Sequence, residues 1–309
     1  MIPKPPPREG ALGFLYLPPY RVIGESVAGE ATTVVVPELD VCFDAGCCPR
    51  AILASKFLCI SHGHMDHVGS LAYFCSQRYF QGMGEATIVC SSTIAPAIHG
   101  MMKGYIDLER QETPYKLVAL EPEGTVDIKS NMYLKGIPLE HAHGSMGFVV
   151  VERRSKLKEE FAGLPQEKLK ELKDRGVEIT RKLEIPQIAY LGDTAPGPAL
   201  VREDVRKAHV VICECTFTEP EHRERARVGL HMHAEDIAEW LRVLECGALI
   251  LIHFSRRTNL GLARKRIEEL VGPEKSQKVH FLMDHRANRA RYEKQLAEAG
   301  EKEGAGVEG

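Results

Sequence analysis

The stretch Ser61-His62-Gly63-His64-Met65-Asp66-His67 decides how the rest of the chain is read. Three imidazoles and a carboxylate fall within six positions, just after the apolar run Phe57-Leu58-Cys59-Ile60 and just before a predicted helix from Val68 to Phe80. Three histidines packed on one loop would compete for buried hydrogen-bond partners, so metal binding is the economical reading. In an extended segment alternate residues face the same way. His62 and His64 then share one ion, while Asp66 and His67 turn toward a second. Such spacing suits two zinc ions side by side.

Working outward, 309 residues are enough to bury a substantial core in one large α/β domain or two small ones. A hydrophobic fraction of 44% against 27% charged residues is that of a soluble globular chain. No apolar run approaches the ~20 residues needed to cross a bilayer, so no membrane partner is expected. The Pro-rich start, Met1 to Gly10, lacks the charged-then-apolar pattern of a secretory signal, and the expected compartment is the cytoplasm. The nine cysteines are odd in number and without repeated spacing, which argues against a disulfide framework. Cys42, Cys59, Cys90 and Cys213 lie in or beside apolar runs, and neither Cys47-Cys48 nor Cys213-Glu214-Cys215 has paired Cys-x-x-Cys spacing, so all read as core filling. A net charge of −3 and a pI near 6.5 exclude a generally basic nucleic-acid coat protein, but not a local basic patch.

Thr33 to Val36 and Asp40 to Phe43 read as a hairpin split by Pro37-Glu38-Leu39. Asp44 closes it; a carboxylate before Ala45-Gly46 is an ordinary turn former, unless it holds the histidines of the next strand by hydrogen bonding. A strand over Ala86 to Cys90 and a helix near Ile94 to Tyr105 follow, then a polar, Pro-punctuated region from Glu112 to Ser130. The run Met132 to Leu139 delivers His141 and His143, which spacing alone does not separate. From Glu152 charges dominate, and Pro165 to Arg175 carries helix signals with too narrow an apolar stripe for a core helix. Residues 152–186 read either as an arm standing off the body or as a solvated helix in an ordinary crossover. Apolar runs then end in Asp193, Glu214 and His253, with an amphipathic helix bearing Ile237, Trp240, Leu241 and Leu244 between the last two. A helix near Leu260 to Leu270 stops at Gly272-Pro273. A charged helix from Arg286 to Ala299 fades into a tail, roughly 296–309, expected to be disordered.

Metal-competent groups thus recur at the carboxyl ends of apolar strands, where layered α/β folds build their sites. His62, His141, Asp193, Glu214 and His253 would converge on one rim. At this point the chain resembles the metallo-β-lactamase superfamily, whose His-x-His-x-Asp-His motif is matched by His62, His64, Asp66 and His67. His141, Asp193 in Gly192-Asp193-Thr194 and His253 follow in that family's order, and the likeness runs from roughly Gly24 to Met283. Within the superfamily the chain is similar to ribonuclease Z, the tRNA 3′-processing endonuclease, in its short plant-type form. Glu214-Cys215-Thr216-Phe217 and Leu249 to Ser255 resemble that family's signatures, and His231 falls where a partner histidine is expected. Ser145 and Gly147 fit the register that points to His141 rather than His143. The chain departs from the pattern at Gly69-Ser70-Leu71 and at Arg257, and lacks the Gly-rich Gln motif of bacterial members.

The resemblance implies a four-layered αββα sandwich, an α/β fold, as a single domain over residues 1–309. It implies two Zn²⁺, with Mn²⁺ or Fe²⁺ as alternatives: His62, His64 and His141 on one, Asp66, His67 and His253 on the other, Asp193 bridging. It further implies hydrolysis of precursor tRNA by in-line attack of an activated water that Asp66 orients, with His231, held by Glu214, as general acid. A homodimer is implied as well. The competing reading is a superfamily hydrolase of a small thioester, lactam or cyclic phosphodiester.

Overall fold

The computed structural model describes residues 2–7 and 12–305. Two seven-stranded sheets form in chain order. The first contains β1 (Gly13–Leu17), β2 (Tyr20–Val27), β3 (Ala31–Val36), β4 (Val41–Phe43), β5 (Phe57–Ile60), β6 (Ala86–Ser91) and β7 (Tyr115–Leu120), neighbours in that order. Its strands are antiparallel up to β4 and parallel from β4 onward. The helices α1 (Met65–Val68) and α2 (Leu71–Phe80) follow β5, and α3 (Ala95–Glu109) links β6 to β7. The second sheet takes β8 (Thr125–Lys129), β9 (Met132–Pro138), β10 (Met146–Leu157), β11 (Thr180–Tyr190), β12 (Val210–Glu214), β13 (Ala248–Ile252) and β14 (Val279–Phe281). It is antiparallel through β11 and parallel beyond. Interspersed are α4 (Gln166–Asp174), α5 (Glu203–Arg206), α6 (Arg223–Gly229), α7 (Ala234–Trp240), α8 (Leu260–Ser276) and α9 (His285–Ala305).

Burial on both faces explains why the central strands read as unbroken apolar runs. One face of each sheet packs on the other: Val34, Phe43 and Cys59 of the first meet Phe148, Tyr190 and Ile250 of the second, with the Phe43 and Tyr190 rings stacked 4.6 Å apart. Leu71, Phe74, Ile98 and Met102 of α2 and α3 cover the outer face of the first sheet. The predicted stripe Ile237, Trp240, Leu241 and Leu244 covers the second together with Ala263 and Ile267 of α8. The Trp240 indole N–H, which burial would otherwise strand, donates to the Leu200 carbonyl at 2.8 Å. The result is the αββα sandwich.

Several boundaries differ from the sequence expectation. The helix drawn from Val68 is broken at Gly69-Ser70, because the Ser70 amide donates to the Ala45 carbonyl at 2.7 Å instead of continuing the helix. The region 112–130 is not a polar connection but holds β7, with the short apolar run Leu117 to Leu120, and β8, which alternates Val126 and Ile128 with polar residues. The tail expected to be disordered from about 296 is helical through Ala305, extended by strong helix formers and by the Lys294–Glu298 pair one turn apart; 306–309 lie outside the described residues. Beyond β9, strands β10 and β11 continue as a two-stranded extension paired from Arg153↔Glu184 to Leu157↔Thr180. It carries α4, none of whose residues is buried.

Candidate metal centre and active site

Five strands deliver the site at their carboxyl ends: Ser61 and His62 follow β5, His141 follows β9, Asp193 follows β11, Glu214 ends β12 and His253 follows β13. The backbone bends sharply there. Asp44 and His253 have φ of 58° and 62°, a left-handed region that residues other than glycine enter rarely. Gly46 lets the histidine loop approach: a Cβ there would lie 1.9 Å from the Asp66 carbonyl oxygen.

The structure brings together every metal-competent residue singled out in the sequence except His143, which is exposed and outside the cluster. His62 Nε2 is 3.0 Å from His64 Nδ1, and His141 Nε2 is 3.3 Å from the same atom. Asp66, His67 and His253 form a second group, with His253 Nε2 3.3 Å from Asp66 Oδ2. Asp193 Oδ2 faces both, at 3.9 Å from His62, 3.8 Å from His141, 3.4 Å from His67 and 3.3 Å from His253.

The outer hydrogen bonds fix what points inward. Asp44 is fully buried and accepts from the Ser61 amide, the Ser61 hydroxyl, the Tyr190 hydroxyl and His67 Nδ1, at 2.6–2.8 Å. Because the Ser61 hydroxyl donates to Asp44, it accepts from His62 Nδ1 at 3.0 Å. His141 Nδ1 donates to the Leu230 carbonyl at 3.0 Å. Thr216 Oγ1 donates to Glu214 at 2.5 Å and so accepts from His253 Nδ1 at 2.8 Å. With these assignments from the network, His62, His67, His141 and His253 all turn an Nε2 lone pair toward one space. The Nε2 lone pairs of His67 and His253 stand 3.3–3.4 Å from carboxylate oxygens of Asp193 and Asp66, and lone pairs so placed repel unless a cation lies among them. With bonds of about 2.0–2.1 Å, tetrahedral donors sit roughly 3.3 Å apart, so the donor set fits divalent metal.

Two more observations agree. His67 Nε2 and Asp193 Oδ1 are buried without a hydrogen-bond partner. Burial opposes a charged His67 ring, yet Asp44 and Asp193 draw its pKa well above the usual value and favour positive charge at that position, whereas burial lowers those of His62 and His141 and keeps their lone pairs free. Burial likewise resists ionisation of Asp193 and Asp66, but the surrounding histidines hold both carboxyls below the usual range. Asp66 Oδ2 also accepts the Gly29 amide at the β2–β3 turn, at 2.9 Å.

Beside this group stands the pair singled out as proton machinery. Glu214 is fully buried; Oε1 accepts His231 Nδ1 at 2.7 Å and the Thr194 amide at 3.0 Å, while Oε2 takes the Thr216 amide and hydroxyl. The His231 ring lies 4.7 Å from that of His141 and 5.4 Å from that of His253. Burial works against its charged form, but the bond and charge of Glu214 prevail and raise its pKa. His233 serves the fold instead: it caps α7 in a reciprocal pair with Asp236. The sequence reading assigned no role to Ser61, Tyr190 or Thr216, although Thr216 stands within the quoted Glu214 signature.

A family profile described as a beta-lactamase superfamily domain matches residues 54–254. tRNase Z TRZ1 of Arabidopsis thaliana is 33% identical over 255 residues, spanning 82% of this chain and 90% of that protein. The chloroplastic tRNase Z TRZ2 of the same plant is 30% identical over 254 residues, spanning 81% and 72%. Among solved structures, the short form of human tRNase Z superposes with a TM-score of 0.54 at 19% identity, covering 80% of this chain and 93% of that one, a likeness of fold. Identity, coverage and site together show that the chain belongs to the tRNase Z family of the beta-lactamase superfamily.

Proposed function

We propose that the chain is a metal-dependent endoribonuclease that removes the 3′ trailer from precursor tRNA. The observation that carries the reading is the Glu214–His231 pair standing ring-to-ring with metal-competent His141 and His253; the relatives named tRNase Z supply the substrate. His62, His64 and His141 would hold one zinc ion, Asp66, His67 and His253 the other, and Asp193 both. Imidazole and carboxylate donors suit Zn²⁺, with Mn²⁺ or Fe²⁺ as the alternatives. Such a pair supplies positive charge to the phosphoryl oxygens and acidity to a water near neutral pH.

The chain's own groups do the rest. Asp66, oriented by the Gly29 amide, keeps one oxygen to align the attacking water and take its proton. The ring of His231, fixed through Nδ1 by Glu214, presents Nε2 to protonate the leaving 3′ oxygen. Asp44 and Thr216 lock the tautomers of His67 and His253. RNA affinity would come from the extension of β10 and β11. It carries Lys156, Lys158, Lys168, Lys170 and Lys173, with Arg153 and Arg154 at its base paired to Asp127 and Glu152, among nearly as many acids.

The reading of a homodimer rests on the family resemblance alone. Among the described residues no helix is long and apolar enough to cross a membrane. Zinc-loaded protein incubated with a 3′-extended precursor tRNA, beside its Asp66→Ala form, tests the function. A single cut after the discriminator base, absent from the variant, is the expected result. An intact precursor together with turnover of a small thioester or cyclic phosphodiester would replace it.

A further inference from the structure

Next to the metal centre, the loop after β12, α6, the β2–β3 turn and the loop after β13 enclose a cavity of about 580 Å³, within the range of ligand sites. Thr216, which joins His253 to Glu214, lines its inner end. Half-buried Phe217 forms a wall, its ring 6.1 Å from that of His231. The guanidinium of Arg225 lies 5.5 Å above the same ring. Across the cavity Arg256 is already committed to Glu30, at 2.6 and 2.8 Å. Arg257 and Arg225 have no carboxylate within ion-pair distance among the described residues, although Glu219 also lines the space. An aromatic ring with two guanidinium groups that lack carboxylate partners, one of them resting over the ring where an entering base would displace it, and several hydroxyls makes a surface that stacks a base and binds a phosphate.

We propose that this cavity holds the nucleotide bearing the leaving oxygen, its base stacked on Phe217 and its 5′-phosphate bound by Arg225 and Arg257. The side follows from His231: Phe217 is its ring neighbour and Thr216 shares Glu214 with it, so a nucleotide seated here brings its 3′ oxygen to the proton donor. This inference rests on the endoribonuclease reading above. Phe217 is then a substrate-positioning residue.

The test is a cycle of protein and substrate changes. Phe217→Ala and Phe217→Leu are assayed on intact precursor, on precursor lacking the base just 5′ of the cut, and on precursor lacking the base just 3′ of it, with metal content and melting temperature checking the fold. On intact precursor both variants lose about tenfold in kcat/KM, as expected for one lost stacking contact. Removing the 5′ base costs the wild-type enzyme about as much and abolishes the further loss in the variants, while removing the 3′ base leaves the tenfold difference in place. A loss that disappears with the 3′ base, or one equal on all three substrates, overturns the proposal. Failure of wild-type protein to cut any precursor would instead overturn the functional reading beneath it.

Discussion

The His231 ring is tied to the fold through Nδ1 alone, by Glu214 at 2.7 Å with Thr216 Oγ1 at 3.4 Å, so it can be removed without exposing a carboxylate to an empty core: Glu214 keeps the Thr194 and Thr216 donors. His231→Ala should therefore retain its metal and its melting temperature while kcat on precursor tRNA falls by 10²–10⁴-fold, the usual range for loss of a general acid. Unchanged kcat would remove His231 from that role. A second histidine makes a prediction about stability. His280 in β14 is buried, and burial together with the positive charges of Arg291 and Arg264 lowers its pKa from 6.5 to about 3. Above pH 6.5 the ring is neutral in both native and unfolded chains. As pH falls below that, the unfolded chain takes up a proton that the native one refuses, so stability declines by up to about 1.4 kcal/mol per pH unit until the native pKa near 3 is reached. His280→Leu should flatten the fall in unfolding free energy between pH 6.5 and 4 relative to wild type. The metal ligands titrate identically in both proteins, so parallel curves would show that His280 does not refuse its proton.

The extension of β10 and β11 is the element most separable from the rest, since α4 buries nothing and several basic groups on it are already paired, Arg153 with Asp127 and Arg175 with Glu171. Its lysines would act on RNA through screened charge. Replacing 162–175 by a short turn should leave melting nearly unchanged and raise KM for precursor tRNA by tenfold or more, with little effect on a small phosphodiester and a penalty that shrinks as salt rises. An equal effect on both substrates would end the idea of an RNA-binding arm. The legibility of elements followed their environment. β5, β12 and β13 are buried on both faces and announce themselves as apolar runs ending in residues of the site. β1 and β2, to which the sequence reading assigned no element, are just as buried over much of their length, with Pro18-Pro19 in the turn that splits their runs. At the site, residues that face the metal space stand in short motifs. Apart from Ser61, which precedes His62, those that orient them do so across separations of 23 positions, Asp44 to His67, and 37, Thr216 to His253, and no local spacing encodes such pairs.

At the scale of the whole molecule the donor set spans both sheets: His62, His64, Asp66 and His67 follow a strand of the first, whereas His141, Asp193 and His253 follow strands of the second. Protein contacts already join the sheets at this edge, where Ser26 Oγ accepts the His253 amide at 2.9 Å and Ala28 donates to the Phe254 carbonyl at 3.2 Å. Ions held by all seven residues would add a staple that exists only in the native state, because the unfolded chain leaves these groups scattered over some 190 positions. A ligand at a thousand times its dissociation constant stabilises the native state by about 4 kcal/mol. In a chain of this size that corresponds to a melting shift on the order of 10 °C. Chelation should lower the melting temperature of wild-type protein by that amount and readdition of Zn²⁺ should restore it. Asp193→Asn, with a weakened link between the two groups, should melt near the chelated value and respond little to either treatment. Wild-type protein that melts at the same temperature with and without chelator, and carries only trace metal as purified, would leave the inward-facing lone pairs without a cation and the proposed nuclease without its chemistry.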